Sequence, residues 1–138
     1  MIVYNTSKNS FVAKNLRIAK NMWERFRGLI GSSPLEEGEG FLIPSCQGIH
    51  TFGMSYSIDV LYLDGEERVM RILNSYRPNL LGPVIWKAKS VLELPAGAIE
   101  RSNTKVGDIL FLDEIPSDLL NKPIPISVLS SIISARCA

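Results

Sequence analysis

The nine residues Cys46-Gln-Gly-Ile-His-Thr-Phe-Gly-Met54 hold the only histidine of the chain, one of its two cysteines, a methionine and two glycines. They stand just before a strand-like run, Ile58-Asp-Val-Leu-Tyr-Leu-Asp64. Titratable and soft groups gathered beside a rigid strand are what a binding or catalytic loop carries. Cys46 and His50 could act as nucleophile and base, with Asp59 or Glu93 orienting the imidazole. Catalytic Cys and His usually come from separate parts of a fold, so a small buried thiol and a loop-capping imidazole explain the same five residues more simply. Cys46, His50, Met54 and Asp59 could also be metal ligands. Structural zinc asks for four Cys or His ligands, and the whole chain has three such residues. A Cys/His/Met trio would suit a soft ion such as Cu(I), but the spacing supports neither site. No metal and no cofactor are expected.

Two carboxylates interrupt apolar strands. Asp59 lies between Ile58 and Val60, and Glu93 lies inside Val91-Leu-Glu-Leu-Pro95. An ionised carboxylate on an inner strand face must be paired or hydrogen-bonded. Two arrangements satisfy that demand. Either both face one cleft with raised pKa values, as in general acid–base work, or one of them pairs with Arg27 and ties a helix to the sheet. The candidate ligand-binding set is therefore Cys46, His50, Thr51, Met54, Asp59, Glu93 and Arg27. Gly48 and Gly53 bracket His50, and Gly53 is expected at a backbone conformation that a Cβ disfavours. No phosphate-cradling glycine pattern is present.

The elements that must position these groups are short. Ile2–Tyr4 and Phe11–Ile18 read as strands. Asn21 is a good helix N-cap with Glu24 three residues on, opening a helix whose apolar face carries Met22, Trp23, Phe26, Leu29 and Ile30. Trp23 and Phe26 are assigned to the core. Further strands are expected at Gly40–Pro44, Ile58–Asp64, Glu67–Tyr76, Ser90–Pro95 and within Val106–Asp113, with Asp64-Gly65 as a hairpin turn and a short helix over Ala96–Arg101. This pattern predicts a mainly β, compact sandwich- or barrel-like single domain with one or two short helices. The domain proper should span residues 1–113. Residues 114–138 read as a proline-containing linker and a short apolar helix carrying Val128, Leu129, Ile132 and Ile133 on one face. That face should dock on the body or on a second copy of the chain.

Composition narrows the function classes. With 46% hydrophobic and 21% charged residues the chain is an ordinary globular one. Fifteen Lys and Arg against 14 Asp and Glu leave a formal charge of +1, scattered along the chain, which disfavours nucleic acid and anionic membranes as partners. No secretory signal is visible. The apolar tail falls short of the ~20 residues a membrane span needs. Two cysteines without an export signal do not make a disulfide framework, so a cytoplasmic protein is expected.

Several blocks of the sequence occur together in the order and spacing of one family. They are Arg27-Gly-Leu29, Gly40-Phe41, His50-Thr-Phe-Gly-Met54, Ile58–Asp64, Val91-Leu-Glu-Leu-Pro-Ala-Gly97 and Gly107-Asp108. Over residues 10–113 the chain resembles the family called domain of unknown function 192. The resemblance implies a small, mostly β domain with one or two short helices and carries no activity with it. The leading expectation is a non-catalytic domain that binds a small molecule or a peptide in a polar cleft near the Cys46–Met54 loop. A small hydrolase or transferase using His50 with Asp59 or Glu93 is the competing class. An accessory interaction module using the tail is a third.

Overall fold

The computed structural model describes residues 1–114 together with Ser127 and Ser131. Eight strands and two short helices make up the described fold: β1 (Ile2–Asn5), β2 (Ser10–Ala13), β3 (Asn15–Ile18), α1 (Met22–Arg27), β4 (Glu39–Pro44), β5 (Ile58–Leu63), β6 (Val69–Tyr76), β7 (Ser90–Pro95), α2 (Ala98–Arg101) and β8 (Leu110–Asp113). The architecture is mainly β, as the short punctuated strands imply. The run Phe11–Ile18 is not one strand. It breaks at Lys14, and its halves join different sheets. The backbone N–H groups of Lys14 and Asn15 both turn to the Gly38 carbonyl, at 2.7 and 3.0 Å, which is where the chain changes sheet. The expected tail helix and its docking face lie outside the described residues.

One sheet has the order β2-β1-β8, and the other has the order β3-β4-β7-β5-β6. All pairings are antiparallel except β3 with β4. The larger sheet is covered on both faces, and β5 is buried along its whole length. Leu61 and Leu63 of β5 and Leu92 and Leu94 of β7 face the smaller sheet, packing with Val3, Val12 and Leu110. Ile58, Val60 and Tyr62, with Val91, Phe41 and Ile43, face the other way, under Leu29, Ile49 and Met54. That second layer belongs to the turn after α1 and to the 46–54 loop rather than to a sheet. Strands covered on both faces read as continuous apolar runs, so a single carboxylate within one is conspicuous.

α1 starts as its sequence predicts. Asn21 Oδ1 accepts the Glu24 N–H at 2.9 Å, and Glu24 Oε2 reaches back to the Lys20 N–H at 2.7 Å. It ends at Gly28, whose φ of +54° only glycine adopts readily. The expected burial of its aromatic face is overturned. Trp23 is 67% exposed and Phe26 71% exposed, while Leu29, just past the helix, is 2% exposed. A six-residue helix followed by a turn docks through the turn, and its own residues stay on the rim.

Candidate functional site

The 46–54 loop is held from one side. Thr51 Oγ1 donates to the Arg77 carbonyl at 2.7 Å and accepts the Leu80 N–H at 3.0 Å. The Gly82 N–H bonds the Ile49 carbonyl at 2.9 Å, and the Ile85 N–H bonds the Gln47 carbonyl at 2.8 Å. The segment 77–85 therefore clamps the loop against the sheet. Thr51 is wholly buried in this clamp, and Met54 is buried in the core. Both position the loop and neither presents a free group. Gly53 sits at φ +78° and gives its N–H to Asn79 Oδ1 at 2.9 Å, as its place before a strand implies.

Between this loop and α1 opens a cleft of about 200 Å³, lined by Arg25, Phe26, Ile43, Cys46, His50 and Glu93 among others. Among the described residues, four buried side-chain polar atoms have no hydrogen-bond partner: Arg25 Nε, His50 Nδ1, Glu67 Oε2 and Glu93 Oε2. Three of these four belong to residues lining this one cleft. A larger cleft of about 870 Å³, beside Arg17, Lys20 and Pro34, contains none of them. Size alone would choose the larger; unmet polar groups choose the smaller.

Glu93 forms the floor. It pairs across the sheet with Phe41 and Val60, so its carboxyl rises among apolar side chains on the α1 side. It is 3% exposed, and burial raises its pKa to about 8, which keeps it a neutral acid at neutral pH. Gly28 passes close above, where an added Cβ would lie 3.7 Å from Glu93 Oε1. Cys46 donates its S–H to the Gly48 carbonyl at 2.9 Å, and burial raises its pKa further from the thiolate range. Its proton is thus turned away from His50. The nucleophile–base pair considered from sequence is not assembled.

Asp59 does not join the cleft. It pairs opposite Leu94, one residue out of step with the Val60–Glu93 pair, and so points to the other face of the sheet. Its oxygens accept the N–H groups of Ser75 at 2.8 Å and of Gly97 and Ile99 at 3.0 Å each. It anchors α2 and the end of β6. Arg27 borders the cleft but is exposed and gives its Nε–H to the Ile30 carbonyl at 2.9 Å. Glu93 Oε2 remains unpartnered, so the expected helix-to-sheet ion pair is not made.

The inward cation is Arg25, although the helical spacing of the apolar residues turns both Arg25 and Arg27 away from the apolar face. Its Nη2 donates to the Ser45 carbonyl at 2.7 Å, and its buried Nε has no partner among the described residues. Arg25 lies four residues before Leu29. Leu29 lies beyond the glycine that ends α1, so helical spacing in the sequence gives no signal for Arg25. Four rings border the same region in succession. Trp23 and Phe26 have centroids 6.4 Å apart, Phe26 and His50 6.0 Å, and His50 stacks on Phe52 at 5.5 Å. Among the described residues no group of three His, Cys, Asp or Glu could hold a metal ion, and no helix is long and apolar enough to cross a membrane.

Fold and cleft together define a small, mainly β domain with a neutral buried carboxyl under an aromatic rim. The chain belongs to the family domain of unknown function 192, described as an uncharacterized ACR, whose sequence model matches residues 3–112. A UPF0127 protein of Thermococcus sibiricus is 29% identical over 135 residues, covering 95% of this chain and 86% of that one. Another, of Thermococcus gammatolerans, is 28% identical over 131 residues, covering 92% and 84%. A protein of unknown function from Novosphingobium aromaticivorans has a similar fold, with a TM-score of 0.68 at 22% identity over 80% of this chain and 82% of its own.

Proposed function

We propose that this is a non-catalytic binding domain, working in the cytoplasm, that takes a small polar molecule or the polar end of a peptide in the cleft between α1 and the 46–54 loop. The observation that carries this reading is that Arg25 Nε, His50 Nδ1 and Glu93 Oε2, all buried and unpartnered, belong to residues lining one cleft. A buried polar atom without a partner costs roughly 1–3 kcal/mol, so three together in one place favour a site that a ligand completes. The Cys46 thiol, bonded to Gly48, argues against covalent chemistry.

Acid–base catalysis by His50 and Glu93 is supported by one feature, burial that raises the Glu93 pKa to about 8 in a cleft that His50 also lines. The two readings separate in one experiment. Amide and imidazole NMR signals of the full chain are followed during addition of a mixture of small polar fragments. Binding predicts shifts confined to residues 25–28, 46–50 and 93, lost in His50→Ala while thermal unfolding stays cooperative. Shifts elsewhere, or none, would remove the cleft as the site. Turnover of a fragment that is lost in Glu93→Gln would establish catalysis instead.

A further inference from the structure

Taking the cleft as a binding site, as proposed above, we infer that its ligand is a carboxylate carried on an apolar body, with Arg25 Nε–H and the Glu93 carboxyl holding its oxygens. The guanidinium can only donate; one of its two outer nitrogens is given to the Ser45 carbonyl, and its buried Nε–H has no acceptor among the described residues. Glu93 is buried among apolar neighbours and uncharged at neutral pH, so it too brings an O–H that needs an acceptor. A carboxylate offers two oxygens and no donor, which matches both demands.

The charges around Glu93 point the same way. The same cleft is lined from α1 by Arg25 and Arg27 and from the loop by Cys46 and His50. From β5 comes Tyr62, whose hydroxyl is given to the Pro83 carbonyl at 2.8 Å. None of these groups is an ionised carboxylate, and two are guanidinium cations. A cationic ligand would be repelled, and a ligand rich in donors would leave both protein donors unmet. The apolar body has its place as well. Phe26 and His50 line the cleft, and Trp23 and Phe52 extend the ring row on either side, with Trp23, Phe26 and Phe52 largely in solvent. The carboxylate could belong to a free small acid or to the C-terminus of a peptide with an apolar last side chain.

The test titrates four compounds into the full chain at about pH 6: phenylacetate, phenylacetamide, N-acetylphenylalanine and its amide. The His50 ring and the Gly28 and Gly48 amide signals report binding. Both acids should saturate these signals, and both amides should bind at least about tenfold more weakly, since a charge-assisted hydrogen bond is at stake. The tighter acid identifies the source, free acid or chain terminus. Arg25→Gln should bring the acids down to the level of the amides. As a check that needs no variant, acid binding should weaken as pH rises past about 8, where Glu93 ionises, while amide binding does not change. Amides that bind as well as acids would overturn the carboxylate and leave the binding reading standing. Acids whose affinity ignores both Arg25→Gln and pH would overturn the roles given to Arg25 and Glu93. If none of the four compounds moves the signals the carboxylate is overturned, and a blank fragment screen would then overturn the binding reading separately.

Discussion

Asp59 and Glu93 lie on hydrogen-bonded neighbouring strands one residue out of step, so they point to opposite faces of the same sheet. Asp59 accepts three backbone N–H groups, and Glu93 Oε2 accepts none. The same residue class thus does two jobs. One carboxylate stays satisfied and holds the fold; the other is kept neutral by burial and faces a cleft.

The pH dependence of stability follows from Glu93. Its pKa is raised from 4.5 to about 8 on folding, so between those values the folded chain binds more protons than the unfolded one. Its contribution is fully present below about pH 4.5 and is lost as pH rises through about 8. Glu93→Gln removes this titration. In urea titrations across that range the wild type should lose stability relative to the variant by an amount on the order of a few kcal/mol. Parallel pH profiles would show that the Glu93 carboxyl is already ionised at neutral pH.

Asp59→Ala should act in the opposite manner. It strands three buried or half-buried N–H groups, at roughly 1–3 kcal/mol each. Denaturant unfolding should show a loss of at least about 3 kcal/mol, with the cleft signals of His50 unmoved in the folded fraction. A loss below about 1 kcal/mol would mean that water replaces the carboxylate at the α2 end.

Trp23 and Leu29 make a paired test of how α1 is seated. Trp23→Ala should alter stability by no more than about 0.5 kcal/mol, because the ring is in solvent. Leu29→Ala should cost about 2–5 kcal/mol, as for a fully buried leucine. Equal losses in thermal or urea unfolding would place the aromatic face inside.

Gly53→Val should cost at least about 1 kcal/mol, because its φ of +78° is strained for a β-branched residue. A neutral result would show that the loop can relax to extended backbone without losing the Asn79 bond.

Deleting residues 115–138 should leave a cooperative unfolding transition, since all eight described strands end by Asp113. A truncated chain that cannot fold would assign the tail to the core.

By itself the sequence determined what depends on near neighbours in the chain. The Asn21–Glu24 cap, the Asp64-Gly65 turn, the positive φ of Gly53 and the alternation along β5 are set within a few residues, because caps, turns and side-chain period are local geometry. The family could be recognised from the spacing of its blocks for the same reason. Only the tertiary structure decided which carboxylate reaches the cleft. Alternation sorts Asp59 from Val60 within one strand, but the parity between β5 and β7 depends on a register fixed by long-range pairing. The choice of Arg25 over Arg27 was likewise tertiary. A six-residue helix has too few turns to define its own buried side, and the docking of Leu29 on the sheet turned Arg25 inward and left Trp23 and Phe26 on the rim.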